Sequence, residues 1–283
     1  MWLDRLIRKR AEAPRDYLEQ QVERSWSKES RNLESFGLAD GMSIADLGCG
    51  PGHFTQRVAE WLPNAHITAI DSDPKMLQLA RERLPKHVTI VDAQADKSGL
   101  PDNAFDFVIA RLLFQHLHDP LAVAREAHRI LRPGGVFAII DVDDELFGVV
   151  DPPIRALPRL LAKYGRLQAK RGGNRHVGRS LPRFLRDAGF TDRRIECIAI
   201  HSDDAGLAAT FPQLDPAPLR ALRAAGELSR LEVLSLESAR EKFLAAHEAF
   251  AIVLLFMACG VKPAGASAPP SAVGESSAPP ATD

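Results

Sequence analysis

The chain has 283 residues, 45% of them hydrophobic, which suits one large soluble domain with additions or two small ones. Its 36 Lys plus Arg nearly balance its 37 Asp plus Glu, for a formal net charge of −1, so no global positive field marks it for nucleic acid. Three widely spaced cysteines, Cys49, Cys197 and Cys259, form no Cys-x-x-Cys pair, which argues for free thiols in a reducing compartment and against a zinc site.

The first ten residues carry charges throughout and lack the apolar core of a signal peptide, so a cytoplasmic location is expected. Residues 1–36 read as two helices, with Pro14 opening the second and Leu3, Leu6, Ile7, Tyr17, Leu18, Val22 and Trp26 at loosely helical spacing.

Residues 44–55 then compress a strand, a turn and a helix start into one stretch. Ile44, Ala45 and Leu47 suit a short buried strand, Gly48, Gly50 and Gly52 let the backbone turn sharply beside a ligand, and a helix begins at His53. A helix N-terminus placed after a strand favours the polar end of a nucleotide-like ligand. The spacing is G-x-G-x-G, one residue shorter than the G-x-G-x-x-G of dinucleotide sites, and Asp46 would repel a pyrophosphate.

With Asp46 and Leu47 before it, this turn resembles the first motif of the class I S-adenosylmethionine (SAM) methyltransferases. The resemblance implies SAM as cofactor, the stretch Gly48-Cys49-Gly50 with Gly52 as its cradle, and Asp46 as the carboxylate that meets the ligand's ammonium. It also implies that the N-terminal helices lie over the pocket as a lid. Tyr17, Gln21 and Trp26 then either touch cofactor or substrate, or fasten the helix to the core.

Further along, residues 66–70 form a second strand that closes on Asp71, followed by Ser72. A carboxylate there accepts hydrogen bonds from ribose hydroxyls. Asp73 and Pro74 open a helix in which Met76 is either an adenine contact or core. The third strand, 87–91, ends in Asp92-Ala93, which matches the family's adenine corner. Residues 100–110 supply the fourth strand and run into Arg111, Gln115, His116, His118 and Asp119. By the same resemblance Arg111 and Gln115 line the cofactor, and a methyl acceptor sits against His116. That histidine is a base, a positioning group or a plain loop residue; a base would serve a hydroxyl or amine.

A helix over 120–131, the break Arg132-Pro133-Gly134-Gly135 and a fifth strand at 136–140 complete a strand-helix alternation, and the Leu-Arg-Pro-Gly-Gly phrase again resembles the family. Because Arg111 follows the fourth strand, no metal is predicted despite Asp141, Asp143 and Asp144. Helical insertions are expected at 146–180 and 203–246. The first contains a basic loop whose Arg175, His176 and Arg179 are either solvated or line an acceptor pocket for an acidic substrate. The second caps the site, forms a dimer surface or packs on the core. A sixth strand at 193–200 and a seventh at 250–258 close the sheet. The apolar run over 250–261 is about half the ~20 residues of a membrane helix. Residues 263–283 read as a disordered tail.

The expected fold is α/β: a Rossmann-like, seven-stranded, mostly parallel sheet with a C-terminal antiparallel strand, a helical N-terminal lid over 1–36 and a methyltransferase domain over 37–262. The resemblance implies methyl transfer to O, N or C of a small molecule, such as a secondary metabolite or a quinone-like compound, by a monomer or homodimer without nucleic-acid or membrane partners. The alternatives are a protein or nucleic-acid methyltransferase, or a SAM-binding scaffold without methyl transfer.

Overall fold

The computed structural model describes residues 15–210 and 212–264, with side chains from Leu18 onward except those of Ala209 and Pro212. Tyr17 thus lies on a described helix, but its side chain is outside the described residues, as are residues 1–14 and the tail from 265.

Strands β1 (Ser43–Leu47), β2 (His66–Asp71), β3 (Thr89–Asp92), β4 (Phe105–Arg111) and β5 (Leu131–Val142) run parallel in the order β3-β2-β1-β4-β5. Their side chains alternate between faces, as period-2 geometry requires. Ile44, Phe107, Ile109, Ala138 and Ile140 pack on one side, and Ala45, Leu47, Val108, Phe137 and Ile139 on the other. On the first face lie α1 (Arg15–Ser35) and α2 (His53–Trp61), with α3 (Pro74–Arg83) beside them. The second face is covered by α4 (Pro120–Ile130) and, further on, α6 (Leu181–Asp187).

The helix starts are chemically specified. Asp73 accepts from the Lys75 N–H at 2.8 Å and Asp119 from the Ala122 N–H at 3.1 Å, each with proline at the first helical position. Within the irregular first part of β5, a Cβ on Gly135 would lie 2.9 Å from the Arg132 carbonyl oxygen, so the chain turns there only with glycine.

Among the described residues the sheet has eight strands instead of the expected seven. The addition is β6 (Gly148–Asp151), a four-residue strand antiparallel to the N-terminal end of β8 (Phe250–Val261). The rest of β8 pairs antiparallel with β5, and its other edge pairs antiparallel with β7 (Thr191–His201).

The second insertion is not one long helix. Two single turns, Ser202–Ala205 and Leu207–Thr210, precede α7 (Pro216–Ala224) and α8 (Arg230–Ala245), the latter opened by a Ser229–Glu232 capping box. With α5 (Leu157–Ala169) from the first insertion these helices bury their own apolar cluster, including Leu160, Leu219, Leu222, Leu236 and Phe243. The two insertions therefore fold onto each other, and Lys163 binds Glu232 across them at 2.6 Å. No described helix is long and apolar enough to cross a membrane.

Candidate active site

The three glycines after β1 all have left-handed backbone, with φ +73° at Gly48, +55° at Gly50 and +85° at Gly52. Gly48 and Cys49 both donate their N–H groups to the Ile70 carbonyl, at 2.8 and 2.9 Å, which locks the turn onto the end of β2. A Cβ on Gly48 would meet Leu113 at 2.7 Å and one on Gly52 would meet Leu84 at 3.0 Å, whereas one on Gly50 meets nothing within 4 Å. Gly50 is therefore the open side of the cradle. The thiol of Cys49 is buried in the core on the α1 and α2 face, and burial pushes its pKa up, with Asp46 and Asp71 adding to the effect.

Parallel pairing sets Asp71 opposite Asp92. Asp71 Oδ2 accepts the Gly50 N–H at 2.8 Å and Oδ1 accepts the Asp73 N–H at 2.9 Å. Burial raises the Asp71 pKa against those two bonds. Asp92 is exposed, and the Ala93 N–H is used by the Asp71 carbonyl at 3.1 Å. Asp46 is buried behind the turn, where it accepts the Thr55 hydroxyl at 2.6 Å. Its pKa is pushed up to about 6 by burial, against the Thr55 bond and the Arg111 charge. Met76 is buried on α3.

A cleft of about 640 Å³ opens at the carboxyl ends of these strands. Gly48, Asp71, Ser72 and Ala93 line it from β1 to β3, and Leu113, Leu117 and His118 from the loop after β4. A half-buried carboxylate, backbone turns and an apolar wall suit a nucleoside with a charged end. His118, which the sequence places in this loop without a role, stands two residues after His116.

Arg111, at the end of β4, reaches α1. It forms a two-pronged pair with Glu29, at 2.9 and 3.1 Å, and its remaining bonds go to the Gln21 carbonyl and the Ser25 hydroxyl. Glu29 is fully buried, so the N-terminal helix is bound to the mouth of the site by a desolvated ion pair that the sequence did not disclose. Trp26 lies edge-on to Phe54 and Trp61, at 5.9 and 5.8 Å, and so fastens α1 to α2.

Gln115 is buried, and its side-chain oxygen accepts from Arg175 at 3.0 Å. Its N–H donates to Asp141, whose carboxyl is pushed up to about 7 by burial. His116 is exposed, with Nδ1 3.0 Å from the Gln168 side-chain nitrogen. The basic loop is brought to the acids that end β5. Arg175 is paired with Asp144, His176 Nδ1 lies 3.5 Å from Glu145, and Arg179 holds both oxygens of Asp143, at 2.6 and 2.7 Å. Burial works against the Asp143 charge, yet the Arg179 bonds hold its carboxyl below the usual range.

Residues 45–139 match the family model described as a methyltransferase domain. The chain is 31% identical over 121 residues to demethylmenaquinone methyltransferase of Listeria welshimeri, an alignment covering 41% of this chain and 50% of that one. It is 39% identical over 103 residues to trans-aconitate 2-methyltransferase of Azoarcus sp., covering 36% and 40%. The chain thus spans half or less of the length of these curated relatives. Among solved structures, phosphoethanolamine N-methyltransferase 2 of Haemonchus contortus, in complex with phosphomonomethylethanolamine and S-adenosylhomocysteine, shares the fold. The TM-score is 0.55 at 19% identity, over 84% of this chain and 53% of that one. Over residues 45–139, which carry the glycine turn and strands β1 to β4, the chain is thus similar to methyltransferase domains, and it shares their fold.

Proposed function

We propose that the protein transfers a methyl group from SAM to a small-molecule acceptor held against the loop after β4. The observation that carries this reading is the Gly50–Asp71 bond at the open side of the cradle, facing a cleft at the strand ends. SAM, when bound, supplies a methyl group on a sulfonium leaving group, so the protein's work is to orient the acceptor and exclude water. Asp71 uses its remaining lone pairs for ribose hydroxyls, Ser72 and Ala93 flank the adenine, and the charge of Asp46, buried behind the turn, attracts the ammonium without lining the cleft. The wall of Leu113, Leu117 and Val123, the near-neutral net charge and the small helical core of the insertions favour a sizeable metabolite or quinone-like ring over a polyanion.

Calorimetric titration of SAM and S-adenosylhomocysteine into the wild type and Asp71→Ala tests this. Wild-type binding that weakens on the order of 100-fold in the variant is the expected result, since bonds to a carboxylate are the strong ones. Absence of wild-type binding to either ligand overturns it.

A further inference from the structure

α5 has two opposed faces. Leu157, Leu160, Leu161 and Leu167 turn inward, onto the cluster shared with α7 and α8. Arg155 just before the helix, Arg159, Lys163 and Arg166 within it, and Lys170 just after it recur every third or fourth residue, so they form one stripe on the side away from that cluster. Four of the five are exposed, and no acidic residue falls between Arg155 and Arg171.

Lys163 and Lys170 tie this stripe to the region where α7 turns into α8, through Glu232 and Glu227 respectively, at 2.6 Å each. The contact sets the start of α8 beside the stripe, and there Leu231 and Leu234 are 79% and 52% exposed. Arg220 and Arg223 on α7 and Arg230 at the start of α8 are exposed as well. Together with Arg155 and Arg159 they form no ion pair among the described residues. Across residues 155–171 and 216–234 nine Lys or Arg stand against two acids, an excess of seven in a chain whose formal net charge is −1.

We propose that the face made by α5 and the start of α8 docks on an anionic lipid bilayer. The cationic heads meet the phosphates of acidic lipids, and Leu231 and Leu234 enter the boundary between headgroups and acyl chains. A polyanion such as RNA would use the same positive stripe, but solvent-facing leucines add nothing to phosphate binding, whereas a bilayer buries them. The expectation of no membrane partner rests on the short apolar run over 250–261, which bears on spanning and not on attachment at a surface. The apolar face of α5 is spent within the protein, so the helix stays part of the fold while docked. None of these residues lines the cleft at the strand ends, so docking and cofactor binding are separable.

The test is co-sedimentation of the full chain with vesicles of pure phosphatidylcholine and with vesicles of phosphatidylcholine mixed with phosphatidylglycerol. The expected result is binding to the mixed vesicles alone, weakening as salt is raised. Arg155→Gln/Arg159→Gln should lower the partition coefficient about 25-fold, since each charge near an anionic leaflet contributes roughly fivefold. Leu231→Ser/Leu234→Ser should lower it on the order of tenfold and leave retention on a heparin column unchanged. Urea unfolding that matches the wild type verifies the fold of both variants. Equal binding to the two kinds of vesicle, binding to neither, or mixed-vesicle binding unmoved by the leucine variant overturns the inference, and the last of these assigns the surface to a polyanion instead.

Discussion

Gly50 donates its backbone N–H to Asp71 Oδ2 over 2.8 Å, so the turn after β1 and the acid that closes β2 form a single unit. Replacing Gly50 by alanine puts a methyl group into the open side of the cradle at φ +55°. The left-handed strain alone costs about 1–2 kcal/mol of stability, and S-adenosylhomocysteine affinity should fall further than stability does. Gly48→Ala adds a 2.7 Å approach to Leu113 and should lose more stability than Gly50→Ala. Urea unfolding and calorimetry on both variants check the order.

Arg111 and Glu29 are 7% and 0% exposed in their side chains. Arg111→Ala leaves a buried carboxylate without its partner, which costs about 3–5 kcal/mol. The double replacement Glu29→Ala/Arg111→Ala should cost less than the sum of the single ones. A double-mutant cycle by urea unfolding measures that coupling, and additive losses would contradict the pairing.

Stability should fall as pH rises from about 4 to about 6. Asp46 has its folded pKa raised from 3.8 to about 6, so over that window the folded state binds more protons than the unfolded one. The full effect is about 3 kcal/mol in order of magnitude. Asp141, pushed up to about 7, adds a slope of the same sign that continues to neutral pH. Asp46→Asn keeps an acceptor for Thr55 and should flatten the lower part of the curve in urea titrations at several pH values. SAM affinity should rise through the same window, because the ligand's ammonium favours the ionised carboxylate.

Arg179→Ala removes both bonds to the buried Asp143 carboxylate. The melting temperature should fall while S-adenosylhomocysteine affinity stays within about twofold, since the pair lies on the insertion side of the sheet end and not on the cleft wall. A change in that affinity beyond the loss of stability would instead return the basic loop to the ligand site. Thermal unfolding and calorimetry together separate these results.

The parallel half of the sheet was legible because each strand is a short apolar run closed by glycine, proline or aspartate, with a helix of matching period after it. Asp71 and Asp92 close β2 and β3, and the register pairs them. β6 was hidden because Gly148–Asp151 is four residues long and its partner lies about a hundred residues later in β8. The same distance effect hid the chemistry of the acceptor loop. Arg175 and Arg179 read as either solvated or lining an acceptor pocket, but the end of β5 brings Asp144 and Asp143 to them. The Gln168 contact with His116 spans 52 residues, and no local pattern announces an amide that will meet an imidazole.

β8 separates β5 from β7 and also carries β6, so three strands wait on one that follows them in the chain. During synthesis both flanking strands exist first with bare edges, and such edges template pairing between chains. Folding of this half of the sheet is thereby tied to the arrival of β8, a topology of high contact order. A chain halted at residue 249 would carry the complete glycine turn and yet be an aggregation-prone fragment.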